Sequence, residues 1–275
     1  VKTLLAGLAA TVALTGYFYW QNNGLTITRY HHCDPMIPEG FSDFNMLQVS
    51  DLHNKNYGKH QAILLDNISV LSPDIILITG DLVDRRRFDL EKAMTFVEGA
   101  VALAPVYYVS GNHEAWSGRY QEVRSALLEA GVVVLDNQSA LLERNGDTLH
   151  LLGIQDPAFQ VSSYLEQWDV SQVTAQLDTW QELEGFKVLL SHRPELFPLY
   201  AESQMDIVFS GHAHGGQIRL PLLGSLFAPD QGFFPEYTNG DYHQGSTTMY
   251  VSRGLGNSIF PLRVHNRPEL IMVTL

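Results

Sequence analysis

The sequence predicts an α/β protein built on a layered sheet. Short apolar runs rich in β-branched residues alternate with longer segments of helical period. Runs of this kind suit strands buried on both faces. Asp, His and Asn residues stand immediately after several runs, and in open α/β sheets the loops beyond the carboxyl ends of strands converge on one crevice. With 275 residues, 45% of them hydrophobic, the chain can bury one large core. No Pro/Gly/Ser-rich linker, internal repeat or low-complexity tract divides its middle.

Residues 1–24 read as an N-terminal membrane anchor. Lys2 precedes a charge-free run over 4–20, which as a helix spans roughly 26 Å, the low end of what crosses a bilayer. Tyr17, Phe18, Tyr19 and Trp20 close the run, where aromatic rings favour the membrane interface. A cleaved signal peptide is the rival reading; Ala13-Leu14-Thr15 before bulky aromatics makes a poor cleavage site, and there is no twin-arginine pair or lipobox cysteine. A helix buried in the globular body is the remaining alternative. Lys2 favours the inside, so the expectation is a single-pass protein of the cell membrane with an extracytoplasmic catalytic domain, although Arg29 lies just beyond the other end.

The polar stretch 25–43 reads as a linker, and 44–275 as the catalytic domain. Within the latter, 44–50, 75–79, 106–110, 149–154, 188–191, 207–210 and 249–252 read as strands. Helices are expected over 60–71, 90–103, 119–130 and 173–183.

Asp51 and His53 follow the first strand, Gly80-Asp81 with Asp84 the second, and Gly111-Asn112-His113-Glu114 the third. His192 follows a later one, and Gly211-His212-Ala213-His214 the next. Glycines before Asp81, Asn112 and His212 fit sharp strand-to-loop turns. Carboxylates and neutral imidazoles are the ligands that first-row divalent metals accept without thiolates, and the single cysteine, Cys33, excludes both an intrachain disulfide and a thiolate-rich zinc site. Two ions roughly 3.5–4 Å apart need a bridging carboxylate with several ligands on each side. This inventory supplies them.

The ordered set Asp51-Leu52-His53, Gly80-Asp81-Leu82-Val83-Asp84, Gly111-Asn112-His113-Glu114, His192 and Gly211-His212-Ala213-His214 resembles the calcineurin-like metallophosphoesterases. D-x-H alone carries almost nothing and G-D-x-x-D little; all five segments in order, each after an expected strand, are specific. The N-terminal run and the tail Tyr250-Val251-Ser252-Arg253-Gly254-Leu255-Gly256 are similar to the membrane-associated bacterial branch of that family. The resemblance implies an α/β/β/α sandwich with active-site loops at strand C-terminal ends. It implies that Asp51, His53 and His214 hold a first metal, that Asp81 bridges, and that Asn112, His192 and His212 complete a second. His113 matches the non-ligand histidine that protonates the leaving group or steadies developing charge, and Asp84 the carboxylate that orients it. Arg85 stands where some relatives place a phosphate-binding arginine, and Asn112 would also touch the phosphoryl group. The implied reaction is attack on phosphorus by a hydroxide bridging two divalent ions, for which manganese, zinc and iron all suit.

The other histidines (His31, His32, His60, His150, His243 and His265) receive no role, and Glu114 is expected to brace its loop. Arg85-Arg86-Arg87 reads in part as a solvated turn. The segment 215–242 is either a hairpin and loop packed on the sheet or an apolar lip for a lipid-like substrate, carrying Leu222, Leu223, Phe227, Phe233 and Phe234. The formal net charge of −13, from 17 basic and 30 acidic side chains, repels a polyphosphate backbone, so no nucleic acid is expected as partner. The expected partner is a phosphoester, a phosphodiester or lipid-linked phosphate. A phosphatase or phosphodiesterase of soluble nucleotides is the runner-up. A non-catalytic anchored binding module would show lost ligands, and none is lost.

Overall fold

The apolar runs assemble into two six-stranded sheets. The computed structural model describes residues 2–162, 166–257 and 260–275; Val1, at the head of the expected anchor, lies outside them. In chain order the first half comprises α1 (Lys2–Asn23), β1 (Thr26–His31), β2 (Asn45–Val49), α2 (Ala62–Leu71), β3 (Ile75–Thr79), α3 (Leu90–Val101), β4 (Val106–Val109), α4 (Asn112–Trp116), α5 (Tyr120–Glu129) and β5 (Val133–Val134). The second half comprises β6 (Gln138–Arg144), β7 (Asp147–Gly153), α6 (Ser171–Gln181), β8 (Lys187–Leu190), α7 (Phe197–Glu202) and β9 (Ile207–Ser210). After these come the short β10 (Arg219–Leu220), β11 (Gly224–Ser225), β12 (Phe227–Ala228) and β13 (Gly232–Phe233), then β14 (Gly240–Gln244), β15 (Thr247–Val251) and β16 (Glu269–Thr274).

One sheet has the order β1-β16-β2-β3-β4-β5, the other β14-β15-β9-β8-β7-β6. The inner strands β2, β3 and β4 run parallel, as do β7, β8, β9 and β15. Side chains alternate between faces along a strand, and here both faces are covered. Ile75 and Leu77 of β3 enter a core shared with Val188, Leu190 and Phe209 of the opposite sheet. Ile76 and Ile78 enter a second core with Leu64, Ile68, Phe96 and Val123 of α2, α3 and α5. On the far side, Leu189 and Val208 pack with Leu177, Trp180 and Tyr200 of α6 and α7. The result is four layers, α/β/β/α. Each fully buried Ile or Leu contributes about 1.5–3 kcal/mol, so strands covered on both sides are apolar throughout.

The expected strands and helices are present with their ends shifted by a residue or two. The stretch 25–43, expected as a linker, is not one throughout. β1 pairs parallel with β16 along its whole length, and Phe41 is fully buried between the sheets. Thr26, Ile27, Thr28 and Tyr30 have strand propensity, but an edge position leaves them half-exposed and polar in pattern.

Helix α1 is long and apolar enough to cross a membrane, with a mean hydropathy of 1.3 over its most apolar window and none of that window buried. Its last turn docks on the body. Gln21 is buried and its Oε1 accepts the Asn266 amide at 3.1 Å, while Arg267 stacks 4.6 Å over the Trp20 ring. The segment 215–242 folds largely as two short hairpins, β10–β11 and β12–β13, followed by β14.

Candidate metal centre

Parallel strands of both sheets end at one edge, and every ligand-type side chain singled out above is delivered there. Asp51 and His53 follow β2, Asp81 follows β3, Asn112 and His113 open α4 after β4, His192 follows β8, and His212 and His214 follow β9. All are buried. Asp51, His53, Asp81, His212 and His214 hold φ between 47° and 64°, the left-handed region that side chains other than glycine rarely occupy. Backbone bonds fix the loops in this form: the Asp51 amide donates to the Gly80 carbonyl at 3.0 Å, and the His53 amide to the Asp81 carbonyl at 3.0 Å.

The side chains converge in two groups that share Asp81. Asp51, His53, Asp81 and His214 form one, and Asp81, His192 and His212 the other, with nitrogen and oxygen atoms within 4.8 Å of each other in each group. His214 Nε2 lies 3.3 Å from Asp51 Oδ1, and His53 Nε2 3.5 Å from Asp81 Oδ2. On the other side, His192 Nε2 lies 3.4 Å from the same Asp81 Oδ2. Atoms bound about 2.1 Å from one divalent ion lie about 3.0–3.4 Å from each other, so these separations suit shared cations.

Unpartnered atoms make the same point. His53 Nε2 and His214 Nε2 approach to 3.1 Å, two ring nitrogens facing each other amid carboxylates. His192 Nδ1 donates to the Thr79 carbonyl at 2.7 Å, which leaves Nε2, beside Asp81, buried without a hydrogen bond. Asn112 Oδ1 is likewise buried without a partner. Orphaned buried acceptors are costly, about 1–3 kcal/mol each, and cations would satisfy them together. The residues therefore fit a dinuclear divalent site.

Charge balance agrees. Burial pushes the His53 imidazole down to about 3, and burial with His53 nearby holds His214 well below the usual imidazole range; both are in the neutral, metal-accepting form. Burial pushes Asp51 up to about 6 against the pull of His192. Burial opposes ionisation at Asp81 too, but His192 and His113 hold it well below the usual carboxylate range. Burial alone would lower His192, yet Asp81 and Asp51 push it up to about 10. From the protein's own groups alone, a proton on His192 thus sits where a cation's charge would replace it.

His113 stands beside this centre, its ring 4.4 Å from that of His53. Its Nδ1 accepts the Arg85 amide at 3.2 Å. Asp84 is not hydrogen-bonded to it directly: the carboxylate accepts the amides of Arg86 at 2.8 Å and Arg87 at 3.2 Å, shaping the turn that presents the Arg85 amide. The Arg85 guanidinium lies 4.9 Å over the Trp116 ring.

Glu114 braces the loops. It accepts the amides of Asp81 at 2.9 Å, Gly111 at 2.8 Å and Val83 at 3.1 Å, tying the loop after β3 to the start of α4. Gly80 and Gly111 pass each other too closely for a side chain. A Cβ on Gly80, where φ is +88°, would come within 2.6 Å of His192 Nδ1, and one on Gly111 would collide with the Asp81 carboxylate.

Sequence reasoning missed the support behind His212. Its Nε2 lies 2.9 Å from Asp230 Oδ2, leaving Nδ1 as the ring nitrogen for a metal. Arg193, fully buried, pairs bidentately with Asp156 at 2.7 and 2.9 Å and also with Asp230. The only signal for it was an arginine adjoining His192; nothing marked Asp156 or Asp230. Arg263, equally buried, donates to the carbonyls of Arg253, Gly254 and Gly256 and so clamps the C-terminal loop near Asp51.

The calcineurin-like phosphoesterase family model matches residues 44–216. The metallophosphoesterase YkuE of Bacillus subtilis is 29% identical over 287 residues, spanning 100% of this chain and 96% of that protein. The phosphodiesterase YaeI of Escherichia coli is 27% identical, spanning 100% and 98%. Among solved structures, TT1561 of Thermus thermophilus shares the fold, with a TM-score of 0.52 at 14% identity over 78% of this chain and 91% of that one.

Proposed function

This chain belongs to the calcineurin-like phosphoesterases and is a metal-dependent phosphoester hydrolase, and from that premise we propose that it works at a membrane surface on a phosphodiester or lipid-linked phosphate. The observation that carries the catalytic part is the pair of His/Asp groups sharing Asp81. Asp51, His53, His214 and Asp81 would hold one divalent ion; Asp81, Asn112, His192 and His212 the other. Bound there, two such ions lower the pKa of water and neutralise charge on phosphoryl oxygens. Manganese, zinc and iron all suit the nitrogen and oxygen donors.

The chain's own groups do the rest. Asn112 directs its amide at the phosphoryl group. Protonating His113 at Nδ1 would break its bond from the Arg85 amide, so the ring keeps its proton on Nε2 and donates a hydrogen bond to charge developing on the departing oxygen. Asp84 positions His113 through the 85–87 turn, and Arg85 caps this side of the site.

The membrane part rests on α1 and on the lip beside His214. A cavity of about 350 Å³ adjoins His214 and is lined by Ile218, Leu226, Phe227, Phe233 and Phe260. Leu222, Leu223 and Phe234 are exposed on the same hairpins. Chain segment 260–265 links this lip to α1: Phe260 lines the apolar cavity, Leu262 lines a groove along α1, and His265 meets Tyr17. YaeI is described as a phosphodiesterase, which favours a diester.

The test compares kcat/KM of the full-length chain, manganese-loaded in mixed micelles, on a glycerophospholipid diester and on bis(p-nitrophenyl) phosphate. A clear preference for the lipid, reduced by Phe233→Asp, supports the proposal. Equal values for the two substrates would refute the membrane substrate while leaving the hydrolase intact.

A further inference from the structure

A cavity of about 590 Å³ opens beside the metal-ligand groups, and His53 forms part of its wall. Lys55, Arg86, Arg87 and Lys92 line it, with Asn257 and no carboxylate. In a chain of net charge −13, four of whose 17 basic side chains meet here, that convergence needs a cause. Arg87 pairs with Asp84 at 3.2 Å and Lys92 with Asp89 at 2.8 Å. Among the described residues, Arg86 and Lys55 pair with no carboxylate. Lys55 Nζ donates only to main-chain carbonyls, those of Leu255 at 3.1 Å and of Asn22 in the last turn of α1.

We propose that this cavity is a subsite for a second anionic group, a phosphate carried by the same substrate whose ester the metal centre cleaves. The inference deepens the phosphoesterase reading above and rests on it. His53 belongs both to the metal-ligand group and to the cavity wall, so one imidazole ring separates the two. A second phosphate joined to the scissile one by a short linker falls among the cations. Guanidinium and ammonium donors form charge-assisted hydrogen bonds with phosphate oxygens, and the cavity has capacity for several. Lys55 and Asn257 also line the groove along α1, so the second anion lies on the α1 side of the centre and the apolar group of the substrate on the His214 side.

The test uses the full-length chain with manganese in neutral detergent. Its substrates are the p-nitrophenyl ester of thymidine 5′-phosphate with and without a further phosphate on the 3′ oxygen. The second phosphate is expected to raise kcat/KM about tenfold, a gain that an Arg86→Ala, Lys92→Ala double variant brings to within about twofold. Equal kcat/KM for the two esters in the wild-type chain, or an undiminished ratio in the double variant, would overturn the subsite. Should neither ester turn over, the phosphoesterase reading fails by itself. The subsite is then decided by calorimetry with thymidine 3′,5′-bisphosphate against thymidine 5′-monophosphate. About tenfold tighter binding of the bisphosphate, abolished in the double variant, supports it, and equal affinities sink it.

Discussion

His113 is held by one hydrogen bond that decides what its ring can do. Because Nδ1 accepts the Arg85 amide, the proton of the neutral ring is on Nε2, and the residue acts as a donor to developing charge. Replacing it with alanine is expected to lower kcat by about 10²–10³, the typical cost of one such donor, while leaving two metals per chain. His113→Gln, which keeps an N–H, should recover part of the loss. Unchanged kcat in the alanine variant would remove His113 from the reaction. At this scale the ligand types were legible, because Asp, His and Asn in five ordered segments have few other uses together. The resemblance gave Asp84 the task of orienting His113, and nothing in the sequence told that its carboxylate would accept the amides of Arg86 and Arg87. The buried Arg193 with Asp156 and Asp230 was illegible, since its partners lie far apart in sequence and carry no local pattern.

Among the elements, the strand-to-loop turns set the geometry. Gly111 has an ordinary φ of −111°, so its requirement is space and not backbone freedom. A methyl there meets the Asp81 carboxylate and the Asp81 amide. Gly111→Ala is therefore expected to weaken metal binding at least tenfold while the far-ultraviolet circular dichroism is retained; unaltered metal affinity would contradict the close approach of these loops. Legibility followed burial. β3, apolar at nearly every position and fully buried, was plain, as were the amphipathic α3 and α5. β1, β6 and β14 were not, because edge strands alternate toward solvent and mix polar with apolar residues. α4 is too short to show helical period; its start is set by the Glu114 carboxylate reaching back to the Gly111 amide.

For the molecule as a whole, facing two sheets across one core brings the carboxyl ends of β2, β3, β4, β8 and β9 to a common edge. Contacts between the sheets hold that edge together: His192 of one sheet's loops bonds to Thr79 at the end of β3, and Gln48 of β2 donates to Ser210 of β9 at 2.9 Å. The four-layer arrangement was implied by the resemblance, while the apolar runs by themselves told only of strands covered on both faces. The insertion of β16 between β1 and β2, which brings Asn266 and Arg267 against the last turn of α1, was not legible, since no local pattern tells which strand a C-terminal run will join. Asp81, shared by both groups, would join two metal positions into one catalytic unit. To test this, the chain is stripped of metal and manganese is restored. Bound metal and hydrolysis of bis(p-nitrophenyl) phosphate are then followed in wild type and in Asp81→Asn. Two manganese ions per wild-type chain are expected, with turnover restored on their binding and both lost in the variant. Metal-independent turnover, or an Asp81→Asn protein as active as wild type, would contradict it.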